Sequence, residues 1–306
     1  MDNPNTFIAP SELNFSEIFR VLWQKKIAII INCAIAGAIL VYYSLSLTNI
    51  YKSDAVLYLT ANSPNVVSSG NSFGDSGLSS LAALAGADIE SDISKDKLAI
   101  KTIQSREFLN LLINKDDFLP RLMAQGSFNK SNGTFQYNSE VYDEINKVWV
   151  EDGGQSLKPK FHQIYKKYTD SLDVDKNLET GFIEISFTHI SPYVAQQKLS
   201  LIIKEVNNLL REKDIIQSKN SIDYLTGIDT PVQDVKRSIA ILIQQSLQTE
   251  MFANIQENYV LDILDSPHAP ELKSAPARAL ICIVGTMFVF LLSCLYFLAR
   301  HYYKEN

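Results

Sequence analysis

Residues 27–47 read IAIIINCAIAGAILVYYSLSL, and residues 279–299 read ALICIVGTMFVFLLSCLYFLA. Neither stretch contains a charged residue, and each is rich in Leu, Ile and Val, which favour insertion into lipid. As a helix, a stretch of this length spans about 31 Å and matches a hydrocarbon core about 30 Å thick. The sequence therefore predicts a membrane protein with transmembrane helices at residues 27–47 and 279–299.

Basic side chains indicate how these spans are oriented. Basic residues precede the first span and follow the second: Arg20, Lys25, Lys26, Arg300 and Lys304. Because cytoplasmic flanks carry an excess of Lys and Arg, both tails, residues 1–26 and 300–306, are predicted to be cytoplasmic. Residues 48–278 then form one translocated domain, which is periplasmic in a protein of the bacterial inner membrane.

Two other interpretations of the first span stay open. A cleaved signal peptide could end at the small-x-small pattern of residues 44–46, although Glu12 and Glu17 lie in a long leader before the apolar stretch. A lipoprotein acylated at Cys33 would need a small residue where Asn32 stands, and the apolar stretch continues past that cysteine. A retained membrane anchor is favoured over both.

The composition argues against several classes of function. The net charge of −6 indicates no surface for nucleic acid. The three cysteines, Cys33, Cys282 and Cys294, all fall inside the apolar stretches, so the central region has neither a disulfide nor a thiol nucleophile. The four histidines are scattered without metal-ligand spacing. We therefore expect no enzyme activity, no metal and no cofactor.

Two features that could suggest chemistry have simpler interpretations. The segment SSGNSFGDSGLSSLAALAGADI, residues 68–89, is rich in Ser and Gly but lacks the Gly-Lys-Ser/Thr ending of a phosphate-binding loop. It is interpreted as a flexible loop that leads into a helix of small residues. The adjacent carboxylates at residues 116–117 and 151–152 project in different directions on a regular element, so they are expected to be solvated surface.

Periodicity and capping signals predict the elements of the central region. Ile183, Ile185 and Phe187 alternate with polar residues, as in a half-buried strand. Ser-Pro and Thr-Pro pairs supply an N-cap followed by a proline at the first helical position. The predicted elements are a strand at 51–60, a helix at 96–119 closed by Pro120, short helices and loops at 125–160, a strand at 178–189, a helix from Ser191-Pro192 to near Gly227, a helix from Thr230-Pro231 to about Asn258, and a strand at 260–264.

The helix predicted to start at residues 230–231 has an apolar stripe of period four. Its members are Val235, Ile239, Ile243, Leu247, Met251, Ile255 and Tyr259. A heptad alternates steps of three and four, so this stripe does not predict a sustained dimeric coiled coil. Packing within one subunit and contact between subunits both remain open as its role.

The order of these segments resembles the Wzz-type polysaccharide co-polymerases, the chain-length determinants of bacterial surface polysaccharides. The segments that carry the resemblance are LNFSEIFRVLWQKKIAIII (13–31), YKSDAVLYL (51–59), GLSSLAALAG (77–86), FHQIYKKYTDSLDVDKNLETGFIEISFTHISPYVAQQKLSLIIKEVN (161–207) and IAILIQQSLQTEMFANIQENYVLDILDSPHAPELKSAPARALI (239–281). The proline-rich approach to the second span departs from the family in its loose spacing, with Ala277 between Pro276 and Arg278. The subfamily therefore stays open.

The resemblance implies an α+β membrane protein in which two transmembrane helices flank a periplasmic mixed α/β base domain with a long protruding helix. It implies a non-enzymatic regulator of the modal chain length of an O-antigen-like polysaccharide, in lipopolysaccharide biosynthesis at the Gram-negative inner membrane. The expected partners are further copies of the chain in a homo-oligomer ring, the inner-membrane polysaccharide polymerase and the lipid-linked glycan. Some relatives append a cytoplasmic tyrosine kinase, which is not expected in the short tail at residues 300–306.

Four residues are predicted to contact a membrane partner: Pro267, Pro270, Pro276 and Arg278. They belong to the proline-rich approach to the second span, and this approach must lie near any partner in the membrane. Two other functions stay open: an export adaptor for capsule or exopolysaccharide with similar topology, and a two-span periplasmic sensor with a separately encoded output partner.

Overall fold

The computed structural model describes residues 22–60, 95–115 and 117–305, without the side chains of residues 302, 304 and 305. The small-residue segment at 77–86, the loop at 68–89 and Arg20 lie outside these residues. The elements are α1 (Lys26–Ser46), β1 (Tyr51–Leu59), α2 (Lys95–Ile103), α3 (Arg106–Ile113), α4 (Phe118–Met123), β2 (Gln125–Asn129), β3 (Thr134–Tyr137), β4 (Tyr142–Asp143), β5 (Val148–Trp149), β6 (Glu151–Asp152), β7 (Gln155–Ser156), α5 (Phe161–Ser171), β8 (Leu172–Lys176), β9 (Ile183–His189), α6 (Pro192–Thr226), α7 (Gln233–Ile255), β10 (Leu261–Asp265) and α8 (Arg278–Glu305). They form two compact units, a span unit with residues 22–49 and 274–305 described, and a central unit within residues 50–273.

The span unit consists of α1 and α8 packed side by side. Residues Lys26–Ser46 and Arg278–His301 are long and apolar enough to cross a membrane. A Cβ atom at Gly285 would lie 2.5 Å from Leu40 Cδ1, and one at Gly37 would lie 3.6 Å from Thr286 Cγ2. Glycine at these positions lets the two helices approach closely, as small residues do between helices in lipid.

The central unit is built on an antiparallel sheet with strand order β10-β1-β9-β8. In β1 and β9 the apolar residues alternate as predicted, and Ala55 lies opposite Ile185 while Leu57 lies opposite Ile183. These four side chains are almost completely buried in the core. The expected mixed α/β fold class, with two candidate membrane helices and a long helix, is confirmed.

The predicted strand at 178–189 begins too early. Residues 177–182 form a turn in which Asn177 Oδ1 accepts hydrogen bonds from the backbone N–H groups of Glu179 and Thr180. Gly181 completes the turn at φ +77°, a conformation that glycine adopts without a Cβ clash. The turn joins β9 to β8, a strand that the sequence analysis missed.

Helix α6 is the long helix of the central unit, with 35 residues, and spans about 52 Å. Its predicted start is confirmed, because Ser191 Oγ accepts a hydrogen bond from Val194 N–H at 3.5 Å and Pro192 is the first helical residue. Gly227 follows its last residue, as predicted. Apolar residues of α6 pack on β1 and β9 and form much of the core: Val194, Leu199, Ile202, Ile203, Val206 and Leu210.

The helix predicted at 96–119 is divided into α2, α3 and α4. Ser105 interrupts it and caps α3 by accepting a hydrogen bond from Phe108 N–H at 3.1 Å. Asp117 has φ +47° and starts α4. Pro120 lies within the first turn of α4 instead of closing a helix, which is possible because the first turn needs no N–H donor from that residue.

Residues 125–160 contain three short β-hairpins rather than the predicted short helices and loops: β2–β3, β4–β5 and β6–β7. Side-chain turns set the first two hairpins, because Asn132 Oδ1 accepts from Thr134 N–H and Asp143 Oδ1 accepts from Ile145 N–H. Strands this short carry too few residues to show a period in the sequence.

Helix α7 begins at Gln233 and not at the Thr-Pro pair, since Val232 occupies the N-cap position without a side-chain hydrogen bond. Within its apolar stripe, Val235, Leu247, Met251 and Ile255 are exposed. Tyr259 lies beyond the end of the helix and is completely buried. Packing within the chain therefore covers only part of the stripe.

Candidate membrane-partner flank and aromatic cleft

The predicted flank divides between the two units. Pro267 and Pro270 belong to the central unit, whereas Pro276 and Arg278 belong to the span unit, and all four are half-buried. In the central unit, Gln196 Nε2 of α6 donates to the carbonyl of Pro267 at 3.0 Å. The buried Ser53 of β1 donates through Oγ to the carbonyl of His268 at 2.7 Å. Side chains of α6 and β1 thus hold the first part of the flank.

Arg278 is the first residue of α8 and ties it to the end of α1. Its Nη2 donates to the carbonyl of Leu47 and to Asn49 Oδ1, each at 3.1 Å. Leu47 is the C-terminal cap of α1. The last carbonyl groups of a helix lack helical partners and carry partial negative charge, so a cation there is favourable. Arg278 therefore joins the two spans at one end, next to a cis peptide bond between Ala275 and Pro276.

A cleft of about 360 Å³ lies in the central unit beside the first turn of α6. Its walls come from α4, the hairpins β2–β3 and β4–β5, and the start of α6. Four aromatic side chains and two long polar ones face it: Phe135, Tyr137, Tyr142, Tyr193, Arg121 and Gln197. This cleft was not predicted from the sequence.

The side chains around the cleft form a connected network. Arg121 donates from Nη1 to Gln197 Oε1 at 2.6 Å and from Nε to the Tyr137 hydroxyl at 3.3 Å. The ring of Tyr137 lies 5.0 Å from that of Phe135 and 5.3 Å from that of Tyr142, in tilted or edge-to-face arrangements. Aromatic pairs favour these geometries, so the rings support one another.

His189 holds the base of this network. Its Nδ1 accepts a hydrogen bond from the backbone N–H of Ser191 at 3.0 Å, which places the proton on Nε2. Nε2 then donates to the carbonyl of Arg121 at 2.8 Å. Burial lowers the pKa of His189 to about 4, so the ring is neutral at physiological pH. One imidazole thus joins the end of β9, the start of α6 and helix α4.

The backbone around the cleft is strained at two positions. Asp117 at φ +47° and Lys147 at φ +54° are the non-glycine residues of positive φ in the described part of the chain, and both line the cleft. Gly133, at φ +68°, lies so close to Tyr193 that a Cβ atom would come within 3.3 Å of the ring. Left-handed backbone at non-glycine residues costs roughly 1–2 kcal/mol and tends to occur where a site must be shaped.

Sequence reasoning missed the cleft because its residues come from four separate segments. The one available signal was the density of aromatic residues in 125–160, where Phe128, Phe135, Tyr137, Tyr142 and Trp149 occur close together. Among residues 22–60, 95–115 and 117–305, no group of His, Cys, Asp and Glu side chains is arranged to hold a metal ion.

Two helices that are long and apolar enough to cross a membrane, together with a mixed α/β central unit, define the class of fold. The model of a protein family described as "Wzz: Chain length determinant protein" matches residues 11–115. This match covers the first span, β1, α2 and α3, and confirms the resemblance to the Wzz-type polysaccharide co-polymerases.

Polysaccharide co-polymerases are among the solved structures to which this chain is similar. One is described as a full-length bacterial polysaccharide co-polymerase, at 12% identity, covering 96% of this chain and 99% of that one, with a TM-score of 0.42. The other is a fragment of WzzB, a polysaccharide co-polymerase from Salmonella Typhimurium, at 14% identity, covering 74% of this chain and 100% of that one, with a TM-score of 0.32. No curated protein sequence matches the chain significantly.

Proposed function

We propose that this protein sets the modal chain length of a bacterial surface polysaccharide of the O-antigen type, as a non-enzymatic scaffold beside the inner-membrane polymerase. The observation that carries the proposal is the match of residues 11–115 to a family of chain length determinants. The two apolar helices support the proposal, because a protein that contacts a polymerase in the membrane must itself lie within or close to the lipid.

A scaffold can control length without catalysing a step. The length of a growing polymer depends on the ratio between the rate of sugar addition and the rate of chain release. If a scaffold stabilises the complex of polymerase and glycan by about 1.4 kcal/mol, release slows about tenfold and the chains lengthen in proportion. Binding energy alone is therefore sufficient for this function.

The exposed residues of α7 support assembly into a homo-oligomer. Leu247, Met251 and Ile255 are 51%, 48% and 71% exposed. Covering apolar surface stabilises an interface by roughly 25 cal/mol per Å², so a second copy of the chain gains from packing against this face. Contact between subunits is accordingly our interpretation of the part of the stripe that the chain leaves uncovered.

The proposed topology places residues 1–26 and 300–306 in the cytoplasm and residues 48–278 in the periplasm of a Gram-negative cell. The basic flanks of both spans support this orientation. It places the flank that contains Pro267, Pro270, Pro276 and Arg278 next to the second span, where we propose that it contacts the polymerase.

Deletion of the gene tests the proposed function. We expect the surface polysaccharide of the deletion strain to lose its modal length on a gel ladder while sugar addition continues, and the reintroduced chain to restore it. An unchanged ladder would contradict the proposal. Polymer trapped inside the cell at its normal length would instead identify an export adaptor.

Substitutions in the flank test its role separately. Pro276→Ala and Arg278→Lys are expected to shift the modal length, and Lys273→Ala serves as an exposed control between Pro270 and Pro276. Arg278→Lys keeps the charge that faces Leu47, so the spans remain joined while the planar guanidinium is lost. If both variants match the unsubstituted protein in ladder and membrane abundance, the flank makes no functional contact.

A further inference from the structure

The aromatic residues of the cleft are arranged as a stacking surface. Tyr193 is 51% exposed at the rim, Phe135 and Tyr137 are half-buried, and Tyr142 is 5% exposed at the base. The faces of aromatic rings carry partial negative charge. The C–H groups on one face of a sugar ring carry slight positive charge and little affinity for water, so a pyranose stacks favourably on such a surface.

The polar groups of the cleft suit a ligand that both donates and accepts hydrogen bonds. Arg121 offers N–H donors, Gln197 offers an amide, and Asp117 and Glu144 offer carboxylate acceptors. Lys147 adds a second cation, so two positive and two negative side chains line the cleft. This balance favours an uncharged, hydroxyl-rich molecule over a polyanion.

Tyrosine hydroxyls add donors that persist at neutral pH. Burial raises the pKa of Tyr142, and it raises that of Tyr137 against the opposing effect of Arg121. Both side chains therefore stay protonated, and each can donate to a sugar oxygen. The Tyr142 hydroxyl makes no hydrogen bond to any residue that the structure describes, so it is available to a ligand.

The cleft is organised before any ligand enters. Gln197 and Tyr137 hold the Arg121 guanidinium, Gly133 lies against the Tyr193 ring, and the backbone at Lys147 stays at positive φ. A site with fixed side chains loses less conformational entropy on binding. Its volume of about 360 Å³ is within the range of small-molecule sites, roughly 300–1,000 Å³, which suits a short stretch of glycan.

From these observations we infer that the cleft beside the first turn of α6 binds a short, uncharged segment of the polysaccharide whose length the protein regulates. The inference rests on the proposed function for the identity of the glycan. It assigns the rings of Phe135 and Tyr193 to stacking, and Arg121, Gln197 and Tyr142 to hydrogen bonding. Glycan held at this site would stay near the scaffold during growth, which supplies the binding energy that slows release.

Binding measurements on the full chain in detergent test the inference. The probe is surface polysaccharide released from the producing strain by mild acid and cut to oligosaccharides of a few repeats, followed by saturation-transfer NMR and calorimetry. We expect the unsubstituted protein to bind and Tyr193→Ala to weaken binding about tenfold or more, through loss of one stacking ring. Tyr193→Phe keeps the ring and should retain binding.

Tyr224→Ala is the matched control, because Tyr224 lies on the same helix, is 72% exposed and is outside the cleft. The two tyrosines are about 46 Å apart along α6. Gln197→Ala provides a second cleft variant that keeps the fold, since Gln197 is exposed and Ala is favoured in helices. It should weaken binding while Tyr224→Ala leaves binding unchanged.

The outcomes separate this inference from the proposed function. Two results would overturn the cleft inference even where gene deletion alters the ladder. One is that the oligosaccharide does not bind to the unsubstituted protein, and the other is that the cleft variants and the control bind it equally. Selective loss of binding in the cleft variants supports the inference, and an unaltered ladder in the deletion strain would then overturn the proposed function alone. Binding of an unrelated peptide in competition with the oligosaccharide would also overturn the assignment to glycan.

Discussion

At the residue scale, Asn207 links the long helix to the last strand of the sheet. It is 2% exposed on α6. Its Oδ1 accepts from the backbone N–H groups of Val260 and Leu261, and its Nδ2 donates to the carbonyl of Leu261, all at 2.9 Å. One side chain thus satisfies the buried backbone where β10 begins.

Replacing Asn207 by Ala is expected to lower the free energy of unfolding by about 2–5 kcal/mol, because each buried backbone group left without a partner costs about 1–3 kcal/mol. The control is Asn208→Ala, at the half-buried neighbouring position on the same helix. Urea unfolding of the full chain in detergent, followed by tyrosine and tryptophan fluorescence, measures both. Equal midpoints for the two variants would contradict the assigned role.

His189 makes stability depend on pH. Its pKa in the folded protein is about 4, below its ordinary value of 6.5, because burial disfavours the charged ring. Between these values the unfolded chain binds a proton that the folded chain does not. The free energy of unfolding is therefore fully retained above pH 6.5 and decreases by on the order of 3 kcal/mol as the pH falls to 4.

We expect His189→Gln to remove this part of the acid sensitivity, since glutamine does not titrate. Unfolding midpoints of the His189→Gln variant and of the unsubstituted protein should diverge most at neutral pH and converge towards pH 4. Parallel curves across this range would show that the imidazole has the same pKa in the folded and the unfolded chain, which would contradict its burial in solution.

At the element scale, a buried ion pair joins α2 to the edge of the sheet. Asp96 on α2 is fully buried, and its Oδ2 pairs with Lys176 Nζ on β8. Strand β8 also carries Asp173, whose carboxylate pairs with Lys52 at 3.7 Å, but these side chains are 77% and 42% exposed. The same strand therefore carries one buried and one solvated pair.

Asp96→Asn is expected to destabilise the central unit by about 3 kcal/mol. This value is at the lower end of the range for breaking a buried ion pair, because Lys176 keeps some contact with water. Asp173→Asn should cost no more than about 1 kcal/mol, since exposed pairs contribute little. Chemical unfolding of the two variants gives the comparison directly. Equal effects would mean that burial does not strengthen the pair on α2.

At the scale of the whole molecule, the proposed topology makes an accessibility prediction. Cys33, Cys282 and Cys294 lie in the spans, so a variant with Ala at these positions provides a background without thiols. Leu178 in the central unit is 90% exposed, and Tyr303 after the second span is 91% exposed. In that background, Leu178→Cys should react with a membrane-impermeant maleimide in intact cells with a permeabilised outer membrane.

Tyr303→Cys should react only after the inner membrane is opened. Labelling is read by a mass shift on a gel, with lysed cells as the control for reactivity of each thiol. Reaction of Tyr303→Cys in intact cells would place the end of the second span outside the cytoplasm and overturn the topology.

Features whose physical signal is local could be predicted from the sequence. Uncharged runs long enough to cross lipid indicated the spans, alternation indicated β1 and β9, and a Ser-Pro pair indicated where α6 begins. Each signal lies within one continuous segment, because insertion energy, strand period and helix capping depend on neighbours in the chain. The same holds for the segments that resemble the Wzz family.

Contacts between distant segments determine four features that the sequence did not predict: the division of the 96–119 helix, the strand β8, the hairpins of 125–160 and the aromatic cleft. Strands of two to five residues are too short to show a period and depend on partners elsewhere in the chain. The cleft assembles Arg121, Tyr142 and Tyr193 from three elements around His189. No local pattern can specify such a site, since its shape depends on which distant segments meet in the core.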